Sequence, residues 1–363
     1  MQKHGISICA AIAAIILAPA FTGCRAPTRM PATPPLQSTP RPTSTGSTSE
    51  PHVSPASTPT AQTFSTPIAA PDCPNPYPSR ELPPEATPPF RITPAAGAGT
   101  PASIEALPFV HDAKLEQLIR GSLGDQIGSY GVAVKNMGDG SGTAVNGGKV
   151  FNAASLFKIS VMYQVYYERA AGIVSFDTPL VMTPYYDSFG LGPRLTSVCQ
   201  SLTVREALQA MMEVSDNAAA VLLQDLVGSS QINQSLAALG LRDTRLLEDG
   251  LPATAQDMAL LLEAIARGQA VNAEASQEMV GLMSLEQLND RLPALLPAGT
   301  HVAHKTANWS DATHDVGIVY SPAATYVVVV LSDKAYGSKP IAELSRLVYE
   351  YYNGPGSAAT PAD

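Results

Sequence analysis

Beyond residue 107 the apolar residues of this 363-residue chain follow two rhythms in turn. "DAKLEQLIRGSL" (112–123) carries them at helical spacing. "SYGVAVKNM" (129–137) and "GTAVNGG" (142–148) carry them at alternate positions around the turn "GDGSG", which predicts two strands. Helical spacing returns in "FNAASLFKISVMYQVYY" (151–167), "TVREALQAMMEV" (203–214), "DNAAAVLLQDLVG" (216–228) and "SSQINQSLAALG" (229–240). It continues in "ATAQDMALLLEAIARG" (253–268) and "NAEASQEMVGLMSLEQ" (272–287). Thr203 with Glu206 three residues on predicts a capping box at the second of these helices. Then "HVAHKTAN" (301–308), "DVGIVYS" (315–321) and "TYVVVVLSD" (325–333) become short and apolar, as in a three-strand meander, before a last helix in "PIAELSRLVYEYY" (340–352). Strands at both ends of this region and helices between them predict an α+β, two-lobed fold. One mixed, mainly antiparallel sheet would join the first two strands to the last three, flanked by helices, with an all-helical lobe beside it.

The first hundred residues follow neither rhythm. Lys3 and His4 precede the apolar run "ISICAAIAAIILAPAF" and small residues, the marks of a secretory signal. Cys24 directly after Thr22-Gly23 resembles a bacterial lipobox, with Phe21 departing from the usual aliphatic residue; the alternative is a plainly secreted chain. Residues 25–101 hold 20 of the 32 prolines, with Thr, Ser and Ala, too little apolar surface to offset the entropy of ordering. The expected organisation is a signal peptide (1–23), a lipid-anchored, disordered Pro/Thr/Ser-rich stalk (24–105), a folded domain (106–354) and a disordered tail (355–363). The expected location is the outer face of the cell membrane, or secreted. In an oxidising compartment the remaining cysteines, Cys73 and Cys199, are expected to bridge.

A net charge of −9 argues against a broad nucleic-acid surface. No zinc pattern is present, since His301 and His304 are three apart in a predicted strand and face opposite sides. The reading calls for no cofactor and no metal, for membrane contact through the lipid alone, and for a monomer.

Ser155 and Lys158 lie one helical turn apart at a predicted helix start. Free N–H groups there can hold an oxyanion, and a partly buried lysine is a candidate base. Taken alone, an S-x-x-K is ordinary. Two further elements change its weight: Ser215-Asp216-Asn217 at a junction between helices, and Lys305-Thr306 on the first meander strand. S-x-x-K, S-D-N and K-T-G in this order are the signature of class A β-lactamases and penicillin-binding proteins. With K-T-A in the third place, the region from Leu107 to Tyr352 resembles the class A β-lactamase family of serine hydrolases.

The resemblance implies that Ser155 attacks a lactam or amide carbonyl, Lys158 helps remove its proton, and Ser215 relays a proton to the leaving nitrogen. It implies that Asn217 binds the substrate's side-chain amide, that Lys305 and Thr306 bind its carboxylate, and that the N–H groups of Ser155 and Asn308 form the oxyanion hole. The substrate would be a β-lactam or a peptidoglycan-like amide. Two departures stand out. Ala307 replaces the glycine of K-T-G and adds a methyl group beside the expected channel. Between Gly240 and Met258 the family's long Ω loop with its E-x-x-L-N is replaced by the shorter "GLRDTRLLEDGLPATAQDM". Glu248 and Asp249 are the carboxylates available as deacylation base, or are simply solvated turn residues. "DATHDVGIVYS" has no arginine where some relatives bind the carboxylate, which leaves His314 as a candidate there. The alternatives are another amide or ester hydrolase on this fold, acting on peptidoglycan or elsewhere, and a lipoprotein that binds without turnover.

Overall fold

The computed structural model describes Cys73, residues 108–190 and residues 196–358. The expected signal, Cys24, nearly all of the stalk and the last five residues of the expected tail lie outside the described residues.

A short strand β1 (Val110–His111) precedes helix α1 (Ala113–Leu123), and β2 (Tyr130–Asn136) and β3 (Ser141–Val145) form the first hairpin. β4 (Val150–Asn152) leads to helix α2 (Phe157–Ala170), and β5 (Pro179–Val181) is followed by the one-turn α3 (Pro184–Asp187). β6 (Ser201–Thr203) opens the helices α4 (Val204–Glu213), α5 (Asn217–Val227) and α6 (Ser229–Ala238). β7 (Pro252–Thr254), α7 (Ala255–Ala266) and α8 (Ala273–Met283) follow. The chain closes with β8 (His301–Trp309), β9 (Ala312–Tyr320), β10 (Thr325–Ser332) and α9 (Ser338–Asn353).

The six-stranded sheet runs β1-β3-β2-β10-β9-β8, antiparallel throughout except for the parallel pair β1/β3. β10 lies at its centre, between the early strand β2 and the late strand β9. That position explains the unbroken "VVVVL". Val327, Val329 and Leu331 pack toward the helical lobe, while Tyr326, Val328 and Val330 pack toward α1 and α9. A strand covered on both faces has no polar side to alternate with.

Local chemistry sets the helix ends. Thr203 and Glu206 form the capping box of α4, with the Thr203 N–H donating to Glu206 Oε2 at 2.7 Å. Asp216 caps α5 by accepting from the Ala219 N–H at 2.8 Å. α8 ends earlier than its apolar spacing predicts, at Met283 rather than near Gln287. There Ser284 folds its hydroxyl back to the Val280 carbonyl at 2.7 Å. Beyond it Glu286 is buried while Leu285 and residues 287–290 are exposed, and the helix does not continue. Cys73 is joined to Cys199, with Cα atoms 5.0 Å apart.

The helical lobe is tied to the sheet by an ion pair, Lys135 Nζ to Glu263 Oε2 at 2.7 Å, with side chains 11% and 3% exposed. Removing one partner of such a pair weakens the compensation of the other charge in a dry place. Glu263→Ala should therefore cost about 3–5 kcal/mol, read as a lower urea midpoint with an unchanged slope.

Candidate active site

Ser155 sits in a single 3-10 turn (Ala154–Leu156) that runs directly into α2. It is half-buried, among otherwise buried neighbours on the turn. Ala154, just before it, has φ of +44°, a conformation that an L side chain pays for and that the surroundings must impose. Three bonds do so. The Ala153 N–H donates to the Leu251 carbonyl at 2.6 Å, and the Ala154 N–H donates to Asn152 Oδ1 at 3.1 Å. His314 on β9 donates to the Asn152 carbonyl at 2.8 Å.

The tautomer of His314 follows from its partners. Its Nδ1 accepts the backbone N–H of Ser332 at 3.0 Å, so the proton is on Nε2. Burial pushes the pKa of this imidazole down to about 4, against the bond to Asn152, which favours the charged form. His314 is thus a neutral brace behind the Ser155 turn. It lies on the expected strand but supplies no positive charge for a substrate carboxylate.

Lys158, one turn into α2, has no exposed surface. Its Nζ contacts the Ser215 carbonyl at 2.5 Å, Asn217 Oδ1 at 2.7 Å and Ser215 Oγ at 3.0 Å. Burial lowers its pKa well below the ordinary lysine value, and the nearby Lys305 cation lowers it further; Asp216 and Glu286 act in the opposite sense. The two shortest contacts are to oxygens that can only accept, so the amine donates to both, while the Ser215 hydroxyl can accept from the amine or donate to it. The backbone cooperates, for Ser215 is held at φ +56°, which turns its carbonyl and its hydroxyl toward the same amine. Asn217 follows as the first residue of α5.

Lys305, Thr306 and Asn308 come from β8, which packs against the Ser155 turn. Lys305 and Thr306 are buried and Asn308 is exposed. Lys305 forms an ion pair with Glu286, which lies in the segment after α8. Burial lowers the Lys305 pKa, and Glu286 offsets part of that. Ala307 is 2% exposed and belongs to the core between sheet and helical lobe, so its extra methyl is absorbed there rather than left facing an open channel. Arg291 also reaches the end of β8, donating to Asn308 Oδ1 at 2.7 Å and to the His314 carbonyl at 2.9 Å.

Four segments therefore meet: the Ser155 turn with Lys158, the Ser215–Asn217 link, β8, and the unforeseen segment holding Glu286 and Arg291. Glu248 is exposed on a turn that adjoins the Ser155 turn, where the Leu251 carbonyl accepts the Ala153 N–H at 2.6 Å. Asp257 accepts the backbone N–H groups of Arg242, Asp243 and Thr244 at 3.1, 2.8 and 2.7 Å, and Asn233 clasps Leu246 through two 2.8 Å bonds. So pinned, the segment closes in a tight turn with the Leu247 N–H on the Gly250 carbonyl at 3.0 Å, and Glu248 and Asp249 are exposed at its tip.

Residues 113–352 match a family model described as the beta-lactamase enzyme family. The extended-spectrum beta-lactamase PER-1 of Pseudomonas aeruginosa is 29% identical over 44% of this chain and 61% of its own length. The chain thus spans about three fifths of that curated relative. The solved structure of PBP-A is similar with a TM-score of 0.62 and 26% identity over 68% of this chain and 99% of that one. A PBP-A variant described as an acyl-enzyme complex with penicillin G gives 0.63 and 26%, over 68% and 98%. A beta-lactamase from Sphaerobacter thermophilus gives 0.60 and 26%, over 66% and 97%.

The His314 brace has a measurable signature. An unfolded histidine binds its proton near pH 6.5, whereas His314 does so near pH 4 in the fold. Between those values the unfolded chain holds the extra proton, so this group withdraws stability as pH falls through that window. Nitrogen-15 NMR should find His314 neutral and protonated on Nε2 at pH 5.5; a charged ring at that pH would contradict the assignment.

Proposed function

This chain belongs to the beta-lactamase enzyme family, and from that premise we propose that it is a serine hydrolase opening β-lactams through an acyl-enzyme on Ser155. The observation that carries the reading is a lysine with a depressed pKa one helical turn from Ser155, shared with the hydroxyl of Ser215. Lys158 takes the Ser155 proton as Oγ attacks the lactam carbonyl. The N–H groups of Ser155 and Asn308 receive the oxyanion. Collapse breaks the C–N bond, and the nitrogen takes a proton from Ser215 Oγ, replenished from Lys158. Asn217 fixes the substrate's amide while holding Lys158 in line. β8 forms the opposite wall, with Lys305 and Thr306 beside the ring's carboxylate position.

Release of the acyl group needs an activated water. The family's E-x-x-L-N is missing from this shorter loop, and loss of an aligned general base would slow the second step by roughly 10²–10⁴-fold. The protein then traps penicillins covalently and turns them over poorly. The same machinery would serve a peptidoglycan-like amide or ester. The N-terminal sequence supports an exported enzyme, lipid-anchored at the outer face of the cell membrane or secreted, with Cys24 as the lipidated residue and residues 24–105 as its stalk.

Incubation with penicillin G should add one penicilloyl mass to the protein, on the peptide containing Ser155, and the adduct should persist longer than many turnovers of an efficient β-lactamase. Ser155→Ala should form no adduct; acylation that survives this change would refute the nucleophile. The acylation rate should rise with pH as Lys158 loses its proton, with its midpoint well below the ordinary lysine value of about 10.4. A rate still climbing at pH 10 would refute Lys158 as the base.

A further inference from the structure

Glu286 is a carboxylate that the chemistry above does not use, yet it occupies the donors assigned to the substrate. Its Oε2 accepts from Lys305 Nζ, from Thr306 Oγ1 at 3.2 Å and from the Thr306 N–H at 3.3 Å. Its Oε1 accepts the Leu288 N–H at 3.2 Å, so the carboxylate is fixed at both oxygens. The side chains of Lys305 and Glu286 are 0% and 1% exposed, and little water screens their charges. The cation and the hydroxyl that a substrate carboxylate would seek therefore already hold an anion.

The balance of charge has a consequence for substrate choice. Lys305 and Glu286 together contribute no net charge. A second carboxylate brought to the same donors meets Glu286 as a like charge at short range in a dry setting. An ester or amide at that position meets no such repulsion, and its carbonyl needs only one donor. Resting on the hydrolase reading, we propose that Glu286 is a specificity-determining residue: it fills the carboxylate anchor from within and turns the site toward substrates with an uncharged ester or amide group there.

The test uses Ser155→Ala protein, which cannot be acylated, and calorimetric binding of penicillin G and of its methyl ester, with Glu286 intact and with Glu286→Gln. With Glu286 intact the ester should bind at least as tightly as the anion. Glu286→Gln should shift the preference toward the anion by about tenfold or more, the scale of removing one like charge from a desolvated contact. An unmoved preference overturns the proposal. So does a tenfold preference for the anion, or no binding of either compound, when Glu286 is intact; both are measured without the Glu286 variant. The adduct assay on Ser155 stands apart. Its failure, with the binding preference as expected, removes the hydrolase reading and leaves the assignment of Glu286 in place.

Discussion

The arrangement hangs on one buried amine. Lys158 has no water to solvate it, so its nitrogen must be satisfied by the Ser215 carbonyl, the Ser215 hydroxyl and the Asn217 amide. Those groups come from a link between α4 and α5 that is far from Lys158 in sequence. Meeting them fixes how α2 and the two later helices approach one another. It also gives a reason for the left-handed backbone at Ser215, since a relaxed conformation would aim the carbonyl elsewhere. The same desolvation that demands these contacts lowers the proton affinity of the amine. Structural necessity and chemical readiness are thus one property of Lys158.

The electrostatic setting extends this theme. The charge of Lys158 is opposed by burial and by Lys305 and favoured by Asp216 and Glu286, while that of Lys305 is opposed by burial and Arg291 and favoured by Glu286 and Asp315. Asp216 is already committed to capping α5, and Glu286 to Lys305 and Thr306. The segment leading to Glu248 is held by Asp257 and Asn233, and Leu251 after it accepts from Ala153 beside Ser155.

Much of this was legible in the chain because its signals are local. The capping box of α4, the hairpin of β2 and β3, and the meander with its "VVVVL" centre each follow from neighbouring residues. The three short motifs were recognisable because each is a few residues long with side chains of definite chemistry. What escaped depends on distant partners. The spacing of "SLEQ" continues a helix, but the buried Lys305 draws Glu286 inward and the helix stops. The small β4/β7 pair exists because residue 152 meets residue 252, which no local pattern announces. His314 reads as a polar residue on a strand; only the fold puts Ser332 and Asn152 on its two nitrogens. Arg291 lies outside every motif and still reaches Asn308.

The place of β10 carries a further consequence, for synthesis. Val132 on β2 pairs with Val330, about two hundred residues later, so one edge of β2 stays bare until nearly the whole domain has been made. At ribosomal rates of about 5–20 residues per second, that interval is roughly ten to forty seconds. During it the nascent chain presents an apolar strand, "YGVAVKN", with open backbone donors and acceptors. The helical lobe can be complete in sequence while the sheet it rests on lacks its middle. The last strand works as a keystone, and a chain cut short before it is a ready template for aggregation.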